Sequence, residues 1–326
     1  MLASSQVTAL PSSRRDAIVD RYNQVKDGIK IDYREAYSEI LGLKIVADPF
    51  TATESDRVFG LVREEHMGTL LSWETAVEEV LRQFPHGKIV DAGLGSGVLS
   101  IWAAKKSQEI YGEQTSNRVI GFDINEKAIR YARANALINN VENLFEFRHQ
   151  SYDESALPEE SVVLALLNPP YQLVPPGFKA PIHGYGGFDG LEVVRLAARS
   201  AARHVCPGGA ICMGTKAIGD RERSLIEKEF RDGSLVGDPS AFSMEIFNIL
   251  EPMETKYWVD YIYQKQCPDH SKTLSSMGNL IHFISVTIFK DGGQGNIRKL
   301  ETSLDLEGYG WTDHLEAHRL ITNVVD

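Results

Sequence analysis

The sequence predicts an α/β fold: a mostly parallel β-sheet with helices on both faces, preceded by a helical N-terminal segment. Three observations carry this. From Lys88 onward, short apolar runs alternate with stretches of helical periodicity. The first run, Lys88-Ile-Val-Asp-Ala, passes directly into Gly-Leu-Gly-Ser-Gly and then into a helix start, a strand-turn-helix unit. The composition is ordinary globular material, with 326 residues of which 43% are hydrophobic and 24% charged. That length suits one large domain or one domain with an appended module.

The elements follow in order. Residues 1 to about 14 read as a loose polar tail, and Asp16 to about Leu43 as two helices separated by Asp27-Gly28. Asp48-Pro49-Phe50 breaks that pattern, and a further helix from about Thr69 to Gln83 ends at the turn Pro85-His86-Gly87. Strands are expected at Lys88–Ala92, Val119–Asp123, Leu144–Arg148, Val162–Asn168 and Ala210–Lys216, with helices near Val98–Lys105, Asn125–Asn139 and Leu191–Val205 between them. Asp189 and Glu192 read as a capping-box pair for the last of these helices, and Pro207-Gly208-Gly209 as its end. A charged helix over Asp220–Phe230 and two more strands, Met244–Leu250 and Ile281–Phe289, complete the set. The expected division is a helical N-terminal segment over 1–68 (a possible cover or substrate region), a main domain over 69–290 with an aromatic insertion at 251–280, and a C-terminal extension over 291–326.

Composition narrows the function classes. A net charge of −11 argues against a broad nucleic-acid footprint, which relies on clustered Lys and Arg. Cys206, Cys212 and Cys267 show no C-x-x-C spacing, which fits a reducing compartment and no structural zinc. The start MLASSQVTALPSSRR lacks the apolar core of a signal peptide, and no apolar run reaches membrane-spanning length. A soluble, cytoplasmic protein is the expectation. His314 and His318 stand one helical turn apart, a spacing two metal ligands can use, but no third ligand accompanies them and no metal is expected.

The glycine-rich turn is built for a nucleotide. Gly93, Gly95 and Gly97 let the backbone turn sharply and let a ligand approach it closely, and the amides of the following helix start favour polar or anionic groups. A dinucleotide fingerprint requires G-x-G-x-x-G, and here Val98 occupies the third glycine position. Asp123 ends the second strand one β-α-β unit later, where a carboxylate can accept the hydroxyls of a ribose; its plainer reading is a cap for the Asn125–Asn139 helix.

Two stretches carry a family resemblance. The pattern G-x-G-x-G of Gly93, Gly95 and Gly97 resembles the first motif of class I S-adenosylmethionine (SAM) methyltransferases. Leu-Leu-Asn168-Pro169-Pro170-Tyr171 resembles the N-P-P-Y motif of the members that methylate exocyclic or amide nitrogens. Gly186-Gly187-Phe188-Asp189-Gly190-Leu191 is similar to the G-G-x-D-G-L segment of the HemK-type enzymes, which act on a glutamine of release factors. The resemblance implies a Rossmann-like class I methyltransferase fold with a seven-stranded sheet that finishes in two antiparallel strands, and SAM as cofactor. It also implies the roles. Asp91 orients the loop or meets the methionine end of SAM. Asp123 and the neighbouring Ile124 meet the ribose side, and the loop Gln150-Ser151-Tyr152-Asp153 holds the adenine. Asn168 lies by the cofactor and, with the carbonyl of Pro169, accepts the two hydrogens of a planar NH2 group. Pro170 stiffens the loop and Tyr171 stacks on the acceptor.

The implied reaction is SAM-dependent N-methylation of a planar amide or amino nitrogen, on a protein or small-molecule acceptor with a glutamine-like group. The alternatives are adenine N6 methylation of RNA or DNA, guanidino methylation, and a non-catalytic SAM-binding partner subunit. The guanidino alternative rests on Gly95-Ser-Gly-Val-Leu-Ser-Ile-Trp-Ala-Ala-Lys105, which resembles the first motif of protein arginine methyltransferases, with Glu64 and Glu65 to hold the guanidinium. Tyr257, Trp258 and Tyr261 either wall a substrate pocket or pack a core. The Arg195, Arg199, Arg203 series at i, i+4 reads as a solvated helix face.

Overall fold

A computed structural model describes residues 37–48, 56–58, 64–112, 115–153, 157–263 and 266–300. The N-terminal tail, the expected Asp27-Gly28 break, and His314 and His318 lie outside them.

The core is an eight-stranded sheet in the order β10-β8-β9-β7-β6-β3-β4-β5. Its strands are β3 (Lys88–Ala92), β4 (Arg118–Asp123), β5 (Phe145–His149), β6 (Val162–Leu167), β7 (Val205–Gly219), β8 (Ser243–Glu254), β9 (Leu280–Phe289) and β10 (Ile297–Leu300). β3 pairs in parallel with both β4 and β6, while β9 is antiparallel to both β7 and β8. Only β9 therefore runs against the rest, and β8 does not join it as a second reversed strand. Every residue of β6, Val-Val-Leu-Ala-Leu-Leu, is buried. A run with no polar alternation is what a central parallel strand covered on both faces requires.

The covering helices are α1 (Glu64–Gln83), α2 (Val98–Tyr111), α3 (Glu126–Ile138), α4 (Glu192–His204) and α5 (Leu225–Arg231). α1 buries Met67, Leu70, Trp73, Val77 and Leu81, spaced so that one stripe faces the sheet. One hydrophobic cluster runs from Leu43 through the sheet to Leu300 and holds these layers together.

Several expectations are corrected. The second N-terminal helix, expected to end near Leu43, is replaced by an antiparallel hairpin of β1 (Tyr37–Ile40) and β2 (Leu43–Val46). Its turn places Leu41 and Gly42 at positive φ, a geometry no helix contains. The sheet has eight strands rather than seven, because Ile297–Leu300, assigned to an extension, pairs with the open edge of β8. The stretch read as an insertion forms two helices, α6 (Thr255–Ile262) and α7 (Pro268–Met277), with a cluster of their own around Trp258, Ile262, Leu274, Leu173 and Ile281.

Asp189 and Glu192 do not form a capping box. α4 starts at Glu192 with no side-chain cap, and Asp189 instead makes a two-pronged ion pair with Arg195 (2.6 and 3.1 Å). Arg195 also grips Glu229 at 2.6 Å, so this part of the arginine series ties α4 to α5 rather than facing solvent. Pro207-Gly208-Gly209 lies inside β7, one turn beyond the helix end. The capping box that does form is Ser224 with Glu227 at the start of α5, which shortens the expected Asp220–Phe230 helix.

Candidate active site

A cavity of about 550 Å³ opens at the carboxyl ends of β3, β4 and β6. The chain leaves β3 towards β4 on one side, and β6 flanks β3 on the other, so the cavity sits where the strand order reverses. Ligands of open α/β sheets bind at such a point.

Gly93, Leu94, Gly95 and Ser96 of the glycine turn line the cavity, while Gly97 does not. Gly93, Gly95 and Gly97 all have positive φ (84°, 53° and 80°). At Gly97 space is restricted too, since a Cβ would come within 3.0 Å of the Ala132 side chain on α3. The turn is held by the amides of Gly93 and Leu94 donating to the Phe122 carbonyl at the end of β4. α2 then starts at Val98 with no side-chain cap at Gly97, and Val98 and Leu99 of its first turn line the cavity.

Two carboxylates frame this turn. Asp91 is fully buried. Its Oδ2 accepts from the Ser100 amide (3.3 Å), while Oδ1 has no partner. Burial pushes its pKa up to about 7, against the pull of the Ser100 hydrogen bonds. Asp123 is half-buried and spends one lone pair of each oxygen on the backbone, Oδ2 accepting from Gly95 N and Oδ1 from Asn125 N, both at 2.8 Å. Burial raises its pKa and those amides lower it. A carboxylate offers about four acceptor positions, so Asp123 keeps capacity for a ligand hydroxyl beyond its backbone bonds. The capping alternative for Asp123 does not hold, because Asn125 caps α3 through its own side chain.

Asn168 and Pro169-Pro170 follow β6 and line the same cavity from the other side. Asn168 Oδ1 lies 3.4 Å from where a Cβ on Gly214 of β7 would stand, so the missing side chain of Gly214 leaves room for it. Tyr171 is 9% exposed and does not line the cavity. Its ring packs on Phe283 (centroids 6.1 Å apart) with Lys216 Nζ 4.8 Å from the ring centre. The Gly186–Leu191 segment is the clamp for this loop. A Cβ on Gly186 would sit 2.7 Å from the Tyr171 backbone, and one on Gly190 would sit 2.8 Å from its carbonyl oxygen. The Gln172 amide donates to the Gly184 carbonyl and the Gly186 amide to the Gln172 carbonyl.

Ile124, Ser151 and Tyr152 also line the cavity. Ile124 is 57% exposed, an apolar surface bared at the mouth. Ser151 donates to Asp153, and Tyr152 pairs its hydroxyl with His204 Nδ1 at 3.0 Å. Neither Tyr257 nor Trp258 reaches the cavity: Tyr257 stands exposed on α6, and Trp258 is fully buried beside Lys216. Glu64 and Glu65 belong to the first turn of α1, and their side chains lie outside the described residues.

Sequence reasoning missed Arg57 and His183. Both line the cavity, from opposite sides of the chain's path, and Arg57 Nε donates to His183 Nε2 at 3.4 Å. Burial first, and the adjacent guanidinium second, lower the His183 pKa to about 3, so the ring is neutral and can accept. Neither residue belongs to a motif; only the fold brings position 57 over position 183.

Residues 74–177 match the family model described as methyltransferase small domain. Among relatives, a release factor glutamine methyltransferase of Xylella fastidiosa is 31% identical over 147 residues, which span 42% of this chain and 50% of that protein. A ribosomal protein L11 methyltransferase of Caldicellulosiruptor saccharolyticus is 42% identical over 77 residues, 24% of this chain and 22% of that one. A release factor glutamine methyltransferase of Fusobacterium nucleatum is 34% identical over 93 residues, 28% and 24% of the two chains. The chain thus spans half or less of the length of these relatives.

The residues that line the cavity fit SAM. Ser96 lines the cavity and its Oγ is buried without a partner, a donor for a polar ligand end, whereas Asp91, expected at the cofactor, is fully buried and does not line the cavity. Asp123 keeps acceptor capacity, and Ile124 with Tyr152 supplies apolar surface for a flat ring. No helix among the described residues is long and apolar enough to cross a membrane.

Proposed function

We propose that the protein is a SAM-dependent N-methyltransferase whose acceptor is a carboxamide NH2, the side chain of a glutamine in a protein. One observation carries the reading. Asn168 lines the same cavity as Asp123 and the glycine turn, so a planar NH2 group held at Asn168 would lie beside the cofactor.

A carboxamide nitrogen is a poor nucleophile because its lone pair is delocalised into the carbonyl. When bound, SAM supplies an electrophilic methyl group on a sulfonium. Asn168 Oδ1 and the main-chain carbonyl of Pro169 are suited to accept the two N–H hydrogens, aiming the lone pair and favouring the charge that grows on nitrogen. Positioning of this kind contributes up to roughly 7–11 kcal/mol to lowering a barrier. Pro169 and Pro170 restrict the loop that carries these oxygens, and Gly186 and Gly190 press it into place. The glutamine assignment is supported by the G-G-F-D-G-L clamp and by the similarity to release factor glutamine methyltransferases. The acidic balance of the chain supports a protein over nucleic acid.

The test is incubation with methyl-labelled SAM and a fractionated cell extract, followed by mass spectrometry. The reading expects label on the side-chain nitrogen of a glutamine in a protein fraction. Label on RNA, DNA or a small metabolite instead would overturn the acceptor assignment.

A further inference from the structure

Two asparagines one turn apart, Asn135 of α3 and Asn139 at its C-cap, hold the N-terminal hairpin in an unusual way. Asn139 accepts from the Lys44 amide (3.0 Å) and donates to the Lys44 carbonyl (2.7 Å). Asn135 does the same for Val46, accepting from its amide and donating to its carbonyl, both at 2.8 Å. Each side-chain amide thus stands in for a neighbouring strand on the open edge of β2. Asn135 does one thing more. Its Nδ2 also donates to the Ser96 carbonyl, at 2.9 Å, in the middle of the glycine turn. Asn135 is fully buried, and one planar group therefore joins the hairpin to the glycine turn.

The joined segment reaches the cavity. Past β2, Asp48 accepts from the Val58 amide (2.7 Å) and pairs with Lys127 of α3 (2.8 Å), and the Asp48 amide donates to the Val58 carbonyl. This brings Arg57 and Val58 to the cavity wall, next to Asn125, whose Nδ2 donates to the Asp56 carbonyl at 2.7 Å. The hairpin and residues 56–58 form a strap over the cofactor side, anchored throughout on α3.

We propose that Asn135 is a positioning residue that couples this strap to the cofactor loop, so that seating the strap and binding SAM favour each other. The inference rests on the reading of the glycine turn as the SAM cradle. Its logic is linkage: a ligand that holds the Ser96 segment in one conformation fixes the acceptor of the Asn135 amide, and with it the edge of β2. Asn139 is the internal control, because it pairs with β2 but makes no bond to the glycine turn.

The experiment compares Asn135→Leu with Asn139→Leu, both measured for SAM affinity by calorimetry and for melting temperature. Losing a buried hydrogen bond at the turn predicts SAM binding weakened about tenfold in Asn135→Leu and within about threefold of wild type in Asn139→Leu. Hydrogen exchange on the wild-type protein is the second arm and needs no variant to fold. SAM should slow exchange at the Lys44 and Val46 amides, which lie on the strap away from the cavity lining. Equal SAM affinities in the two variants, or exchange at Lys44 and Val46 unchanged by SAM, would overturn the coupling. A wild-type protein that does not bind SAM at all would instead overturn the cofactor reading itself.

Discussion

Asp91 makes the pH dependence of stability a specific prediction. Its carboxyl is fully buried, Oδ1 has no partner, and burial raises its pKa from 3.8 to about 7 in the folded protein. Between these values the folded state holds a proton that the unfolded chain has lost. Stability therefore falls as pH rises across that window and levels off above it. At about 1.4 kcal/mol per pH unit, the folded state of the ligand-free protein gives up of order 4 kcal/mol between pH 4 and pH 7 on account of this group. Asp91→Asn keeps the shape and cannot ionise, so it removes the dependence. The assay is urea unfolding of both proteins at pH 4.5, 6 and 8. Other carboxylates titrate in both, and the wild-type minus variant difference isolates Asp91. The variant should gain on wild type by a few kcal/mol from pH 4.5 to pH 8. A difference that stays flat within about 0.5 kcal/mol would refute the claim that an uncharged Asp91 is the stable folded form.

Three further predictions follow from named contacts. Asp123→Ala leaves the Gly95 and Asn125 amides without acceptors and removes the remaining lone pairs; SAM affinity by calorimetry should fall by about tenfold to a hundredfold, as for a lost hydrogen bond to a charged group. Gly186→Ala puts a methyl group 2.7 Å from the Tyr171 backbone. It should displace the Asn168–Tyr171 loop, cutting methyl transfer at least about tenfold while SAM binding holds. Gly97→Ala combines a positive φ with a 3.0 Å approach to Ala132, and unfolding should show a loss of about 1–3 kcal/mol.

The sequence made much of the sheet legible, for identifiable reasons. β3, β4, β6 and β9 each contain an apolar run bounded by turn or polar residues, and their ends fall within one residue of expectation. β7 is longer than the expected Ala210–Lys216 because Val205 also pairs with β6, and Ala217, Ile218 and Gly219 pair with β9, with Pro207-Gly208-Gly209 interrupting the apolar run between Val205 and Ala210. β1 falls inside a stretch expected to be helical because Tyr33, Tyr37 and Ile40 stand at helical spacing, while the signal that decides, two positive-φ residues at Leu41-Gly42, is a turn with a weak dipeptide signature. β10 is four residues of mixed character whose partner is set by tertiary packing alone.

At the site, the motif residues were visible because each sits beside a strand end that the pattern already located. Arg57, His183, and the double role of Asn135 were not visible. Each depends on a contact between segments separated by 39 to 126 positions in the chain. The ring of Tyr171 shows the same limit: the motif locates the residue, but the buried Lys216 and Phe283 that hold its ring come from other strands.

The most direct measurement replaces Asn168 with Ala and follows two quantities in parallel, SAM affinity by calorimetry and transfer of labelled methyl to a glutamine-containing acceptor protein. The account predicts SAM affinity within about threefold of wild type and transfer reduced at least about a hundredfold, the usual scale for removing one positioned acceptor or donor at a reacting centre. Transfer at the wild-type rate by Asn168→Ala would contradict it.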